Sequence, residues 1–192
     1  MYKATAALRS TTPYQQRRHI NPARFPKLSR ESDDAYEQRV WREAAHYTPD
    51  GHVLVPPTQF KKVFDNAARY AKEKIKGKQN TTYINACISA VQCLQGIPTD
   101  LTRETLEGTS VFVPANGKPG GGSRVNRIFP TIPAWEGATE WFIYDDIITP
   151  EIFQRYLRAA GLLIGLGVWR INKGGMYGRF EVLSCTIEDM TY

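Results

Sequence analysis

The stretch from Gly161 to Val182 combines glycine, aromatic and basic side chains, and no acidic residue lies between Leu162 and Phe180. Glycine lacks the Cβ atom that keeps another backbone at a distance, so a glycine-rich loop can lie directly against a polyanion. Aromatic rings can stack on bases, and cations can bind phosphates. The candidate nucleic-acid-binding residues of this stretch are Gly165, Gly167, Trp169, Arg170, Lys173, Gly174, Gly175, Tyr177, Gly178 and Arg179. A simpler interpretation stays open, in which the glycines only form a hairpin loop and the aromatic residues belong to the core.

The first thirty residues carry positive charge alone. They hold seven Lys or Arg and no Asp or Glu, and residues 10–30 read as an irregular basic arm or loop. Arg17 and Arg18 are its candidate binding residues, and Tyr14 and Phe25 add aromatic rings. Single-strand-binding proteins use this mixture of aromatic and basic side chains. The alternative is a disordered basic arm without a specific site.

A long helix is predicted after the Pro-Pro pair at residues 56 and 57, because apolar residues recur there at helical spacing. Those residues are Phe60, Val63, Phe64, Ala67, Ala68, Ala71 and Ile75. Seven Lys or Arg and only two acidic residues lie between Gln59 and Gln79, so the opposite face of this helix is cationic. The candidate binding residues on that face are Lys61, Lys62 and Arg69.

A Gly/Pro-rich basic loop is predicted over residues 114–127, between strands around 111–113 and 125–129. Its candidate binding residues are Lys118, Arg124 and Arg127. The loop resembles a flexible thumb or β-hairpin insertion. It does not match a P-loop, because Ser123 and Arg124 stand where Lys and Ser/Thr would precede a helix. The sequence therefore gives no support for ATP binding.

The chain of 192 residues has a net charge of +6 and a pI near 9.3, which favours an anionic partner. Its length predicts a single domain over residues 1–192. Acidic residues collect between residues 136 and 151, which predicts an acidic face opposite a basic one. Those residues are Glu136, Glu140, Asp145, Asp146 and Glu151.

Three cysteines form no CxxC pair, and three histidines show no zinc-ligand spacing. The sequence therefore predicts no metal and no cofactor. No signal peptide is evident, and no apolar run reaches the roughly 18 residues that a membrane span needs. We expect a protein of the cytoplasm that has no membrane partner.

The order of the elements predicts an α+β fold. A strand over residues 2–9 precedes a helix from Ser32 to Ala45, and a short strand precedes the long helix. A strand over residues 138–147 leads into a second amphipathic helix, with Thr149 as N-cap and Gly161 at its end. Residues 83–96 are apolar and fit a strand or a helix. Strand, helix, glycine loop and strand form half of a ferredoxin-like or RRM-like fold, an antiparallel sheet with packed helices.

Two passages resemble the RAMP superfamily, whose ferredoxin-like members include the RNA-binding backbone subunits and processing nucleases of CRISPR effector complexes. VLVPPTQFKKVFDNAAR is similar to the family's strand–Pro–Ser/Thr–helix passage, and GLGVWRINKGGMYGRF is similar to its glycine-rich loop. The second glycine unit, Gly175 to Gly178, is one residue longer than usual. YGRFEV also resembles an RRM strand motif, and TTPYQQRRH, YEQRVWRE and the GGGSRV loop resemble phage-encoded proteins of this layout.

The resemblance implies that Lys61, Lys62 and the glycines of the loop lie near a nucleic-acid path, and that copies assemble along a strand. The leading hypothesis is a non-enzymatic protein that coats RNA or single-stranded DNA through backbone contacts, as an oligomer or in a multi-subunit complex. A second hypothesis is a metal-independent endoribonuclease that uses His19, His46 or His52 as general acid or base. A third is a phage protein that binds a host complex and blocks its assembly.

Overall fold

A computed structural model describes residues 1–78, 80–115 and 123–190 of the chain. The strands in these residues are β1 Tyr2–Ser10, β2 Tyr14–Gln15, β3 His52–Val55, β4 Val91–Cys93, β5 Ile97–Thr102, β6 Glu107–Pro114, β7 Arg124–Ile132, β8 Glu136–Ile143 and β9 Phe180–Asp189. The helices are α1 Asp33–Val40, α2 Pro57–Ala71, α3 Tyr83–Ala90 and α4 Pro150–Ala159. In this part of the chain, no helix has the length and the hydrophobicity needed to cross a membrane.

The main sheet is antiparallel and has the strand order β4-β8-β1-β9. Alternate residues of β1 point to one buried face, as the period of two in a strand requires. The ring of Phe64 in α2 packs 5.6 Å from Trp141 of β8 and 5.3 Å from Phe153 of α4, measured between ring centroids. The predicted α+β class, with helices packed on an antiparallel sheet, is confirmed.

Local sequence explains where the two core helices begin. α2 starts at Pro57 and α4 at Pro150, because proline has the right φ for a first helical turn and lacks the N–H that would be unpaired there. The Thr149 hydroxyl also accepts a hydrogen bond from the Ile152 amide at 3.4 Å. α4 buries the apolar stripe that its periodicity predicts. α2 buries the predicted stripe from Phe60 to Ala68, but it ends at Ala71, which is exposed, and the predicted Ile75 is buried beyond the end of the helix.

The prediction that the second helix ends at Gly161 is wrong. A π-helical turn continues from Ala160 to Ile164, and the helical segment ends at Gly165, where φ is +76°. Gly161 is buried, and a Cβ atom there would overlap the carbonyl oxygen of Phe180. Glycine at this position therefore lets β9 pass close to the helix.

Residues 83–96 form both a helix and a strand, the two elements that their apolar sequence fits. α3 ends at Ala90, and the next three residues form β4, which pairs with the end of β8. Because an apolar run fits the interior in either conformation, the available sheet edge decides where the helix gives way to a strand.

A smaller antiparallel sheet has the order β2-β7-β6, and β3 pairs with β5. β6 and β7 form the predicted hairpin, with register from Glu107 opposite Thr131 to Pro114 opposite Arg124. Arg127 lies on β7 as well. The predicted Lys118 lies outside the described residues. Both Arg124 and Arg127 thus lie on strand β7 of this hairpin.

Candidate nucleic-acid interface

The start of the basic arm is an ordered part of the smaller sheet. β2 pairs with β7, and the Gln16 amide donates to the Pro130 carbonyl at 3.1 Å. Tyr14 is fully buried, so it is not available to stack on a base. The arm thus has a defined path to at least Arg18, whose amide donates to the Ala44 carbonyl at 2.9 Å.

The glycine-rich loop packs against this arm. The Val168 amide donates to the Gln15 carbonyl at 3.0 Å, and the Gly178 amide donates to the Pro13 carbonyl at 2.8 Å. Gly167 has φ +74°, and a Cβ atom there would overlap the Gln15 carbonyl oxygen and the Tyr14 ring. Glycine is therefore required here by the close packing of the loop on the arm.

The loop also packs against itself. A Cβ atom on Gly175 would overlap the backbone of Trp169, and one on Gly178 would overlap Leu166. The Trp169 carbonyl accepts from the Tyr177 amide at 3.2 Å, and Trp169 adopts φ +52°. A positive φ is unusual for a tryptophan, so these contacts hold its backbone in a strained conformation.

The arm, α2 and the loop enclose a cleft of about 180 Å³ that we call the polar cleft. It is lined by Tyr14, Gln16, Arg17, His46, Gln59, Lys62, Gly167, Val168 and Arg170. Its three cations come from three separate segments, and none of the described residues that line it is acidic. Two cations share no salt bridge with any described residue: Lys62 is exposed, and Arg170 donates to the neutral Asn172 side chain and the Gly167 carbonyl.

Two buried polar groups in this cleft are unpaired among the described residues. Gln16 is only 2 % exposed, and its Nε2 atom has no hydrogen-bond partner, while its Oε1 accepts from the His46 amide at 3.3 Å. The Tyr14 hydroxyl is also buried without a partner. An unpaired buried donor costs about 1–3 kcal/mol, and because both atoms are closed to solvent a ligand in the cleft would not contact them.

His46 is the histidine that lines the polar cleft. Burial, and then the charge of Arg18, lower the pKa of His46, so its imidazole is mainly neutral near pH 7. His52 lies elsewhere, with Nδ1 3.1 Å from the Thr99 carbonyl oxygen, and His19 is exposed on the arm. The structure thus separates the three candidate histidines.

Arg17 is tied to a buried carboxylate beneath the cleft. Glu37 is 1 % exposed and accepts from Arg17 at 2.7 and 3.0 Å, from Arg127 at 2.9 Å and from the Ile128 amide at 2.8 Å. Burial raises the pKa of Glu37, but these hydrogen bonds outweigh burial and leave its pKa below the usual value. Two of the predicted binding arginines, Arg17 and Arg127, thus join the arm, α1 and β7.

We expect Glu37→Gln to lower the free energy of unfolding at pH 7 by about 3 kcal/mol, because two partly buried guanidinium groups lose their counter-charge. Since the folded-state pKa of Glu37 is lowered, its stabilisation is present above the unfolded value of 4.5 and is lost as pH falls through the folded value. Urea unfolding from pH 7 to pH 3 should therefore show the two proteins converging in acid. The exposed Glu188→Gln variant is the control; a constant gap between wild type and Glu37→Gln would contradict the assignment.

The other predicted binding residues lie outside the polar cleft. Lys61 points elsewhere: its ammonium bonds to Asp65 at 2.5 and 2.6 Å and is within 3.3 Å of two carbonyl oxygens of α3. Arg69 bonds to Asn66 at 3.2 Å, and Arg18 donates to the Glu43 carbonyl at 2.9 Å. The exposed members of the set are Arg18, Arg69, Arg124, Trp169, Lys173, Gly174 and Arg179, and the buried glycines are Gly165 and Gly178.

A second cavity, which we call the apolar pocket, has a volume of about 220 Å³. It is lined by Gln15, Val111, Trp169, Gly175, Met176 and Tyr177. The predicted aromatic residues Trp169 and Tyr177 therefore meet at one place. Trp169 is 44 % exposed and contacts Phe129 edge to face at 6.3 Å.

The uncovered face of the main sheet is acidic. The register places Glu136 and Glu140 of β8 and Glu181 and Glu188 of β9 beside the β1 residues on that face. The two cations of β1 there, Lys3 and Arg9, pair with Glu140 at 2.9 Å and Glu181 at 2.6 Å. RRM domains stack bases on aromatic residues of this face. Here Phe180 of the YGRFEV motif is instead buried between Phe60 and Trp135.

Sequence reasoning missed the amide side chains of the site. Gln15, Gln16 and Gln59 line the two cavities, yet glutamine has no spacing signature. Tyr14, Gln15 and Gln16 are buried in succession, which no alternating pattern in TTPYQQRR predicts. Met176 was missed for a similar reason. Within the described residues, no group of three His, Cys, Asp or Glu is placed to hold a metal ion.

Comparisons with known proteins give structural matches only. No protein-family model matches the chain, and no curated protein matches it. Cmr6 from Pyrococcus furiosus is 14 % identical with a TM-score of 0.50, over 95 % of this chain and 99 % of that one. A chain of a CRISPR RNA-guided surveillance complex is 12 % identical with a TM-score of 0.40, over 96 % of this chain and 68 % of that one. The fold of this chain is therefore similar to that of Cmr6.

Proposed function

We propose that this protein binds single-stranded nucleic acid, RNA or DNA, through the sugar-phosphate backbone, and that it does so without catalysing a reaction. The observation that carries the proposal is the polar cleft, where Arg17, Lys62 and Arg170 converge and no described lining residue is acidic. Phosphate oxygens accept hydrogen bonds, so they match the lysine and arginine donors of this cleft. Contacts of this kind carry affinity without sequence information.

We also propose that the core is a ferredoxin-like domain of the RAMP type. The strand order β4-β8-β1-β9, with α2 after β1 and α4 after β8, supports this assignment because it follows the β-α-β-β-α-β pattern. The acidic open face of the sheet argues against binding on the sheet in the manner of an RRM. Oligomerisation along the strand, or membership of a multi-subunit complex, belongs to the same proposal.

The test is fluorescence anisotropy with labelled single-stranded RNA, single-stranded DNA and duplex DNA between about 50 and 200 mM salt. We expect both single strands to bind more tightly than the duplex, with log affinity falling by about 0.7 per phosphate contact for each decade of salt. Weak binding to all three that does not depend on salt would overturn the proposal and favour a protein partner.

One observation favours the endoribonuclease as a second candidate, namely the mainly neutral His46 in the same cleft as Lys62. A neutral imidazole can accept a proton from a 2′-hydroxyl, and a nearby ammonium can stabilise a phosphate transition state. The RNA from the binding assay should be resolved on a denaturing gel. Metal-independent cleavage that His46→Ala abolishes, without a change in affinity, would establish this function in place of the non-enzymatic one.

A further inference from the structure

The apolar pocket presents almost no polar surface to a ligand. The amide side chain of Gln15 lies next to it but is fully buried, and its Nε2 donates to the Thr131 hydroxyl at 3.2 Å. Its Oε1 is closed to solvent and has no hydrogen-bond partner among the described residues. The accessible surface of the pocket is therefore apolar and aromatic.

The arm and the glycine-rich loop separate the polar cleft from the apolar pocket. These two segments lie side by side and are joined by the hydrogen bond from the Val168 amide to the Gln15 carbonyl. Gln15 and Trp169 line the apolar pocket, while their chain neighbours line the polar cleft. Those neighbours are Tyr14, Gln16, Val168 and Arg170. A phosphate site and an aromatic site are thus separated by the width of two backbone segments.

The backbone of Trp169, whose side chain lines the apolar pocket, is held in a strained conformation. Trp169 keeps a positive φ although tryptophan disfavours it, and such strain is typical of functional positions. Met176, which is 75 % exposed, lies beside it. The volume of about 220 Å³ is below the roughly 300–1,000 Å³ of sites for drug-sized ligands, and suits a single heterocycle.

We infer that the apolar pocket binds one unstacked nucleobase of the strand whose phosphate occupies the polar cleft. This inference rests on the proposed function. The base lies against the Trp169 indole, beside the Met176 and Tyr177 side chains that also line the pocket. Because every base offers a π-face, the pocket accepts any base, and the strand is held by alternate phosphate and base contacts.

The experiment compares two probes of equal charge, an oligoadenylate of about 12 nucleotides and an abasic oligomer of the same length, which falls within typical single-strand site sizes. We expect wild-type protein to bind the abasic oligomer about 5- to 150-fold more weakly, the effect of losing one aromatic-stacked base. The Trp169→Ala, Met176→Ala double variant should bind oligoadenylate more weakly by the same factor and the abasic oligomer unchanged. The control is Tyr144→Ala, Leu183→Ala, which removes one aromatic and one aliphatic side chain, 41 % and 43 % exposed, just after β8 and on β9.

The outcomes separate the two proposals. Equal affinity of wild-type protein for both probes would overturn the base pocket and leave the phosphate-binding function intact. A variant that loses the same affinity for both probes would also overturn the base pocket, because stacking requires a base. If wild-type protein binds neither probe, the proposed function itself fails. Circular dichroism of each variant confirms that it is folded.

Discussion

Replacing Lys62 and Arg170 together by glutamine should weaken binding to single-stranded RNA by about 100-fold at low salt, since each charged hydrogen bond contributes about 1.5 kcal/mol or more. These cations line the polar cleft from α2 and from the loop, and neither forms a salt bridge with a described residue. The salt slope of log affinity should also become shallower by about 1.4, the contribution of two phosphate contacts to a single strand. Fluorescence anisotropy across a salt series measures both quantities.

The matched control is Lys3→Gln, Arg9→Gln, which removes one lysine and one arginine charge from the acidic open face of the main sheet. We expect this variant to bind within about twofold of wild type, because its cations are already paired with glutamates. If both double variants lose the same affinity, net charge alone governs binding, and the polar cleft is not the phosphate site.

Gly167→Ala should lower the free energy of unfolding by about 3 kcal/mol or more, through backbone strain and overlap in a packed region. The new methyl group would meet the Gln15 carbonyl oxygen and the Tyr14 ring, and the backbone has φ +74° there. Neither the Gln15 carbonyl nor the Tyr14 ring can move away without breaking the pairing of β2 with β7. We therefore also expect weaker binding to RNA. Urea unfolding, followed by anisotropy, measures the two effects.

Gly174→Ala separates strain from overlap. Gly174 has nearly the same backbone, with φ +79°, but a Cβ atom there meets nothing within 4 Å. We therefore expect this variant to lose only about 1 kcal/mol, the cost of a positive φ for alanine. Equal losses in the two variants would show that the loop does not pack on the arm as described.

The helices and most strands could be predicted from the sequence because their signals are local. The apolar stripe of α2 and the Thr149-Pro150 start of α4 are set by residues within a few positions of each other. The end of the second helix could not be read in the same way. Gly161 has the residue type of a helix end, but its absent Cβ makes room for Phe180, which lies 19 residues later.

The candidate site was predicted only in part, because the sequence shows its local signals and not its long-range contacts. The sequence identified the loop, the arm and α2 as basic segments, and Lys62, Gly167 and Arg170 do meet in one cleft. It could not show that the ammonium of the adjacent Lys61 is bound to Asp65, because a one-residue step along a helix turns a side chain by about 100°. Nor could it show that Arg17 and Arg127 share a buried Glu37.

The sequence by itself therefore determined the α+β class, the apolar faces that build the core, and the excess of positive charge on three segments. These properties depend on residue type and on spacing along the chain. Only the tertiary structure decided which cations lack an acidic partner, which glycines have no room for a side chain, and that the arm and the loop separate a polar cleft from an apolar pocket. Those properties depend on contacts between residues about 150 positions apart, such as Gln15 and Val168, and local periodicity carries no information about such pairs.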